Sequence, residues 1–586
     1  MPAETYIFCL FKGGIMDENS KHRASFFNNP LMRTRIKSAN VKLPEIIFGY
    51  FIGPIGALLA SGIFTSFLNN YWTDVLFAGQ LTESVNTFLT LLPLLSAILI
   101  VIGNLIAGQI IERTKTRAGK ARPYILLSAV LLGASCIIMF ISPSDDPVAK
   151  MVITAISYNL YYSVAYPLYN TANSTLIPVS IRSGKQRGLL ASATNVAGLA
   201  VMGAGSMVFP VIASWVLKTQ GAWTVAFIIV GIVTFVACVL QYYFTRERVT
   251  EETYSENTIK HKLPVKQQLG AVTKDKFWWI IIVFYLVFQL SGAMKNLSMV
   301  YFCKNVLDSF LGMDAGAMQS VLAILGAVPM AIAVVIIWPL SNKFNKQIVT
   351  FVGMVIGVIG GVIAGLFPTN FIAVAIGVAL KCLGSSPACY MILAMISDCL
   401  DHIEAKNGFR CDGLTMSIYS SIMVAASPIA QAVFNGLLAA TGYIAPAEGQ
   451  IVTQPDAVVS MLSVSYIWVE TIAYAVCAVL MIFFGVEKFL KKDQETILEN
   501  QKAAALAAGE EWIEPAERLR REEEEAERLA DEARKMELKA RCEKKGLSYE
   551  EEEARHQAKL EEKRLKAEAA ANARKAKAEA EEAKKK

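Results

Sequence analysis

The chain has 586 residues, 54% of them hydrophobic, and a formal net charge of +6 at pH 7. Charge is concentrated at one end. Residues 501–586 hold 22 Lys and Arg and 23 Asp and Glu, so 45 of those 86 positions are charged, while the first 500 residues share 61 charges. A soluble enzyme of this length carries charge throughout, so composition excludes an ordinary soluble globular protein.

In chain order, residues 1–43 read as a cytoplasmic arm. Met1–Leu10 lacks a basic n-region and is too short to read as a signal peptide; Met16 is an alternative start. Twelve apolar runs follow, each about the length of a bilayer span. They are 44–72, 84–111, 123–142, 150–177, 189–217, 222–244, 277–302, 314–340, 347–367, 371–397, 413–442 and 459–487. Each is expected to be a helix, because backbone polar groups in hydrocarbon need partners within their own segment. The expected fold is an all-α membrane protein of twelve transmembrane helices in two six-helix bundles, plus a charged helical cytoplasmic tail. Its parts are a bundle over 44–244, a cytoplasmic middle loop over 245–276, a second bundle over 277–487 and the tail over 488–586. That layout is the one secondary transporters use.

Lys and Arg set the orientation. The arm, the 2–3 loop (Arg113, Lys115, Arg117, Lys120, Arg122), the 4–5 loop and the middle loop are rich in them. The alternate loops are poor, with Lys150, Lys218 and Lys304 as isolated exceptions. Both termini are therefore expected in the cytoplasm and the spans in the plasma membrane.

The tail is rich in Ala, Glu, Lys and Arg, which are strong helix formers. Glu514-Pro515 reads as a helix start, and Ser548 to Glu551 as a capping box after Gly546. Leu and Met are too sparse for a heptad seam, so a solvated charged helix is expected, with a protein partner for the tail as the alternative.

Gly108-Gln-Ile-Ile-Glu-Arg-Thr-Lys-Thr-Arg-Ala-Gly-Lys-Ala-Arg-Pro123 follows the second span. Tyr71-Trp-Thr-Asp-Val75 follows the first, and Ser397-Asp-Cys-Leu-Asp-His-Ile-Glu404 with Arg410-Cys-Asp-Gly-Leu-Thr-Met-Ser-Ile-Tyr419 lies between the tenth and eleventh. These three stretches resemble the glycoside–pentoside–hexuronide cation symporters, the melibiose permease family of the major facilitator superfamily. The resemblance covers about 43–487 and implies two bundles rocking about a central sugar site. It makes Lys115, Arg117, Lys120, Arg122, Asp398, Asp401 and Arg410 a gating set in loops. The family's cation-site carboxylates align with Leu58, Ile100 and Asn104 here, its sugar-binding Asp with Asn170, its fifth-span Arg with Asn195 and its eleventh-span Lys with Ala425. A cation site of oxygen ligands usually draws on carboxylates. Coupling to sodium, coupling to protons and uncoupled diffusion therefore all stay open.

Amides both donate and accept hydrogen bonds, which suits sugar hydroxyls. Asn104, Asn170, Asn195, Tyr162 and Tyr166 are the candidate substrate contacts in the first bundle; Tyr166 and Asn170, four apart, share a helix face. Charges inside spans are costly and usually functional. Lys381, in the tenth span, is a further substrate candidate, with Glu470 and Lys295 as coupling candidates. The run Gly384-Ser-Ser-Pro387 is expected to break its helix and open carbonyls to a cavity. No P-loop, catalytic triad or metal-ligand spacing appears, so no enzyme, cofactor, metal or nucleic-acid role is expected. A lipid or amphiphile carrier on the same fold, or a sensor acting through its tail, are the alternatives to a sugar transporter.

Overall fold

The computed structural model describes residues 34–565, apart from 37, 39, 115, 117, 143, 182–183, 218, 249–264, 410, 446–451, 508–511, 559–560 and 563–564. Lys115, Arg117, Arg410 and Met16 lie outside the described residues. Every regular element described is helical.

The first half comprises α1 (Glu45–Leu76), α2 (Glu83–Arg113), α3 (Arg122–Met139), α4 (147–180), α5 (184–215) and α6 (Gln220–Tyr243). The second comprises α7 (Lys276–Asn305), α8 (Ala315–Phe344), α9 (Lys346–Leu366), α10 (Phe371–Asn407), α11 (Asp412–Thr441) and α12 (456–483). Ten helices among the described residues are long and apolar enough to cross a membrane. The other two long stretches, α4 and α5, carry π-helical turns at Leu160–Ala165 and Ala204–Val208.

The helix starts follow ordinary capping chemistry. Thr82 accepts from the Val85 N–H ahead of α2, and Asp275 accepts from Phe277 and Trp278 ahead of α7. Within the halves, α1 packs on α5 and α6, α3 on α6, α9 on α10 and α12, and α7 on α11 and α12. Tertiary structure changes two of the sequence expectations. α10 does not end near 397; it runs on to Asn407, where Gly408 takes a left-handed conformation (φ 73°). Asp398 and Asp401 are therefore helical, not in a loop. α10 also passes unbroken through Pro387. Its small residues serve contact instead: a Cβ on Gly384 would lie 2.3 Å from the Gly353 carbonyl of α9.

The halves meet at the end that carries the 1–2, 7–8 and 11–12 loops. Asp74, just inside α1, accepts hydrogen bonds from Asn70, Thr73 and Tyr443, and pairs with Lys304 at 2.6 Å. The Tyr301 hydroxyl bonds with Asn69 (3.0 Å) and Thr73 (2.8 Å). Gln431 donates to Asn69, and Asn435 donates to the Leu89 carbonyl at 2.6 Å. One apolar core runs across both halves, from Phe64, Tyr71 and Trp72 to Tyr301, Phe434 and Tyr466. A second, around Phe277, Met395 and Phe484, stays within the second half.

At the opposite end there are ties within each half, and the tail reaches the arm through Lys42 and Glu537 at 3.3 Å. Glu247 accepts from the N–H groups of Lys120, Ala121 and Arg122, holding a carboxylate at the N-terminus of α3 where the helix dipole favours it. Gly119 has φ 104°, and a Cβ there would meet the Glu247 carboxylate at 2.3 Å, so only glycine fits. Arg248 pairs with Glu45 at 2.8 Å. In the second half Lys346 pairs with Asp398.

The tail helix α13 (Leu490–Ala507) docks on α10. His402 Nδ1 lies 2.6 Å from Asp493, and the Phe489 ring 5.5 Å from the imidazole. α14 (Pro515–Lys545) ends at Gly546, and Arg534 reaches from it to Glu553 on the following turn at 2.7 Å. The Arg534 guanidinium holds the Glu553 carboxyl down at about 2.

The Asp74 contacts generate a prediction. Asp74→Asn removes the anion shared by Lys304 and Tyr443 and is expected to loosen that end. A hydrogen bond to a charged group is worth about 1.5–3 kcal/mol, so an Asn435→Cys probe should react about tenfold faster with a membrane-impermeant maleimide in the Asp74→Asn background. An unchanged labelling rate would show that Asp74 does not hold the halves together.

Candidate functional site

Among the polar side chains within the described spans, two groups hold the residues singled out from the sequence. The first is on α2 and α4. Where these helices cross, a Cβ on Gly103 would sit 2.0 Å from the Ser163 carbonyl, so glycine permits the approach. Asn104 is next to that crossing, half-buried, and its amide donates back to the Ile100 carbonyl at 3.0 Å. The π-helical turn of α4 carries Tyr161 and Tyr162 at its centre; such turns are common at functional sites. The Tyr162 ring packs 4.7 Å from Tyr158, 5.0 Å from Tyr161 and 6.3 Å from Phe64 of α1. Tyr166, one turn on, faces Tyr161 at 6.3 Å. Tyr162, Tyr166 and Asn170 are all half-buried. Tyr162 and Tyr166, four apart, both pack on the Tyr161 ring. Asn195 is on α5 and exposed.

The second group is on α7, α10 and α12. Glu470 is 2% exposed and lies between two lysines. Its Oε1 is 2.9 Å from Lys295, and its Oε2 2.6 Å from Lys381. The Tyr474 hydroxyl donates to Oε1 at 2.8 Å. Lys381 also donates to the Ile467 carbonyl at 3.2 Å, which belongs to the π-helical turn Val464–Trp468. Lys381, chosen as a substrate contact, and Lys295 and Glu470, chosen for coupling, thus form one cluster.

Helix 9 supplies the space for it. A Cβ on Gly357 would lie 2.6 Å from the Tyr474 ring, one on Gly361 1.9 Å from Thr471 Oγ1, and one on Gly365 2.4 Å from Trp468. These glycines, four apart, form one stripe on α9. They let α12 pack closely against α9, while Tyr474 bonds Glu470 one turn away on α12 itself.

The gating set divides between the halves. Lys120 is held through its backbone on Glu247, and Arg122 is buried, donating to the Tyr242 carbonyl at 2.8 Å and lying over the Tyr242 ring. Asp398 pairs with Lys346, and Asp401 sits half-buried on α10. Arg122 is the first residue of α3, so it too is helical and not in a loop. Sequence reasoning passed over Tyr301 and Glu247, and quoted Asp74 only within the Tyr71–Val75 motif without a role; Lys304, an isolated cation in a loop poor in them, is its partner.

Two changes test this cluster. Truncating one member of a buried charge pair costs about 3–5 kcal/mol, so Glu470→Ala should lower the midpoint of unfolding in detergent sharply. Gly361→Leu overfills the α9–α12 contact and should cost about 1–3 kcal/mol by the same measurement. Wild-type stability in either would contradict the geometry.

Among the described residues there is no group of His, Cys, Asp and Glu that could hold a metal ion. Residues 49–488 match the family model described as MFS/sugar transport protein. The isoprimeverose transporter of Lactiplantibacillus pentosus is 24% identical over 76% of this chain and 89% of its own. The lactose permease of Leuconostoc lactis is 23% identical over 81% of this chain and 74% of its own. These relatives are membrane carriers and not enzymes, and the tail beyond 488 lies outside the family match. With its helices and glycoside-symporter-like motifs, the chain belongs to the MFS/sugar transport family of the major facilitator superfamily.

Proposed function

We propose that this protein carries a sugar or glycoside across the plasma membrane by alternating access. In this reading all of α1–α12 cross the bilayer as two six-helix bundles, and both termini are cytoplasmic. The Lys- and Arg-rich loops support that orientation. The end joined through Asp74 and Tyr301 is then the outer one, and the structure corresponds to the inward-facing state.

The aromatic and amide face of α4, inside a chain of this family, carries the substrate assignment. Tyr162 and Tyr166 offer rings to the apolar face of a pyranose, and Asn104 and Asn170 offer amides to its hydroxyls. The relatives described above, a transporter of isoprimeverose and a permease of lactose, agree with that class.

Coupling resides at the Lys295–Glu470–Lys381 cluster, and the coupling ion is the proton. The α2 positions where the resemblance implies carboxylates are Ile100 and Asn104, which give a sodium ion no charge to offset its dehydration. The cluster holds titratable groups within the spans instead.

Uptake of labelled sugars into vesicles tests both parts. An inward pH gradient should drive accumulation, and a sodium gradient alone should not. Accumulation on sodium alone overturns the coupling assignment. Absence of uptake across a broad sugar panel overturns the substrate class.

A further inference from the structure

The hydrogen bonds at the joined end continue inward to α4. Lys150, in the first turn of that helix, donates to the Leu76 carbonyl at 2.9 Å, so this end of α4 lies beside the 1–2 loop. Tyr158 follows about two turns later, and Tyr162 one turn beyond it. The Tyr158 ring packs 4.7 Å from Tyr162 and 5.4 Å from Trp72, the neighbour of Thr73 in α1. Its hydroxyl crosses to the other half, donating to Gln431 Oε1 of α11 at 3.3 Å. The Gln431 amide nitrogen donates to Asn69 Oδ1 of α1 at 3.3 Å. Asn69 in turn donates to the Tyr301 hydroxyl of α7, which bonds with Thr73. Tyr158, Gln431, Asn69 and Tyr301 are all buried. A buried polar group that loses its partner is costly, so the Gln431 amide favours the joined arrangement only while Tyr158 and Asn69 hold their places.

We infer that Tyr158 and Gln431 are positioning residues that make closure of the outer end depend on bound sugar. This rests on the sugar-transport reading above and adds the route by which occupancy reaches the joint. A pyranose against Tyr162 fixes that ring, the Tyr162 ring fixes Tyr158, and the Tyr158 hydroxyl stays on Gln431. With no sugar present the two rings move more freely, and the hydroxyl spends less time on the amide. The loaded carrier therefore closes its outer end behind the sugar, and the empty carrier reopens it. Coupling of this kind is reciprocal, so closure tightens sugar binding by the same factor.

The test times the reaction of an Asn86→Cys reporter with a membrane-impermeant maleimide. Asn86 is half-buried on α2, beside Asn435 and Tyr443 at the joined end. The full-length protein is used in right-side-out vesicles, with and without the sugars of the uptake panel, lactose and isoprimeverose included. The parent chain without the added cysteine gives the background. A carried sugar at saturation should slow labelling about fivefold, within the range that one neutral hydrogen bond supplies. Tyr158→Phe keeps the ring and removes the hydroxyl, and should bring the ratio of rates without and with sugar close to one; Gln431→Leu should do the same. Thermal unfolding of both variants shows that they are folded. A merely structural contact would speed labelling equally in both conditions, so a wild-type ratio in both variants overturns the inference alone. So does a sugar that the wild type takes up without any slowing of the reaction. Neither uptake nor protection by any sugar of the panel, in a folded protein, overturns the sugar reading and this inference together.

Discussion

A carboxylate held between two ammonium groups inside a bundle of apolar helices is the constraint around which the second half is arranged. Charges within hydrocarbon need partners with good geometry. Glu470 has three: Lys295, Lys381 and the Tyr474 hydroxyl. Those partners come from α7, α10 and α12, so three helices must converge at one depth. The convergence is possible because α9 presents glycine at 357, 361 and 365, where any side chain would collide with α12. The glycine stripe, the π-helical turn before Glu470 and the unbroken course of α10 all serve the same packing requirement.

The first half answers a different demand. Its spans hold aliphatic and amide residues (Leu58, Ile100, Asn104, Asn170, Asn195) where the resembled family carries charge, and these groups need less compensation from their neighbours. Tyr161, Tyr162 and Tyr166 pack ring to ring, and Asn104 satisfies its own amide on the preceding turn. The two halves then join through polar contacts at one end, with Asp74 drawing donors from α1, from Lys304 at the end of α7 and from Tyr443 beyond α11. Hydrogen bonds of this kind are strong enough to hold a closed end and few enough to be exchanged when the halves rock.

Much of this was legible in the sequence, for specific physical reasons. Lys295, Lys381 and Glu470 stood out because a charge in a twenty-residue apolar run is rare. Their meeting was not legible, since 86 residues separate Lys381 from the Ile467 carbonyl it also binds, and no local pattern connects them. Pro387 and the Gly384–Ser386 run read as a helix break, because local propensity disfavours a helix there; packing of α9 against α10 overrode it. Asp398 and Asp401 read as loop residues because the apolar run stops near 397. The helix continues beyond the apolar run, packed against α13, until Gly408 ends it, so the end of an apolar run is not the end of a helix.

The sequence by itself determined that the chain is a helical membrane carrier of this family and which few polar side chains its spans retain. Hydrophobic run length, the distribution of Lys and Arg, and short motifs are local properties, and they report local consequences. Tertiary structure decided which of those side chains meet and which end of the two halves is joined. Those outcomes depend on helix approach distances of an ångström or two, set by residues far apart in the chain.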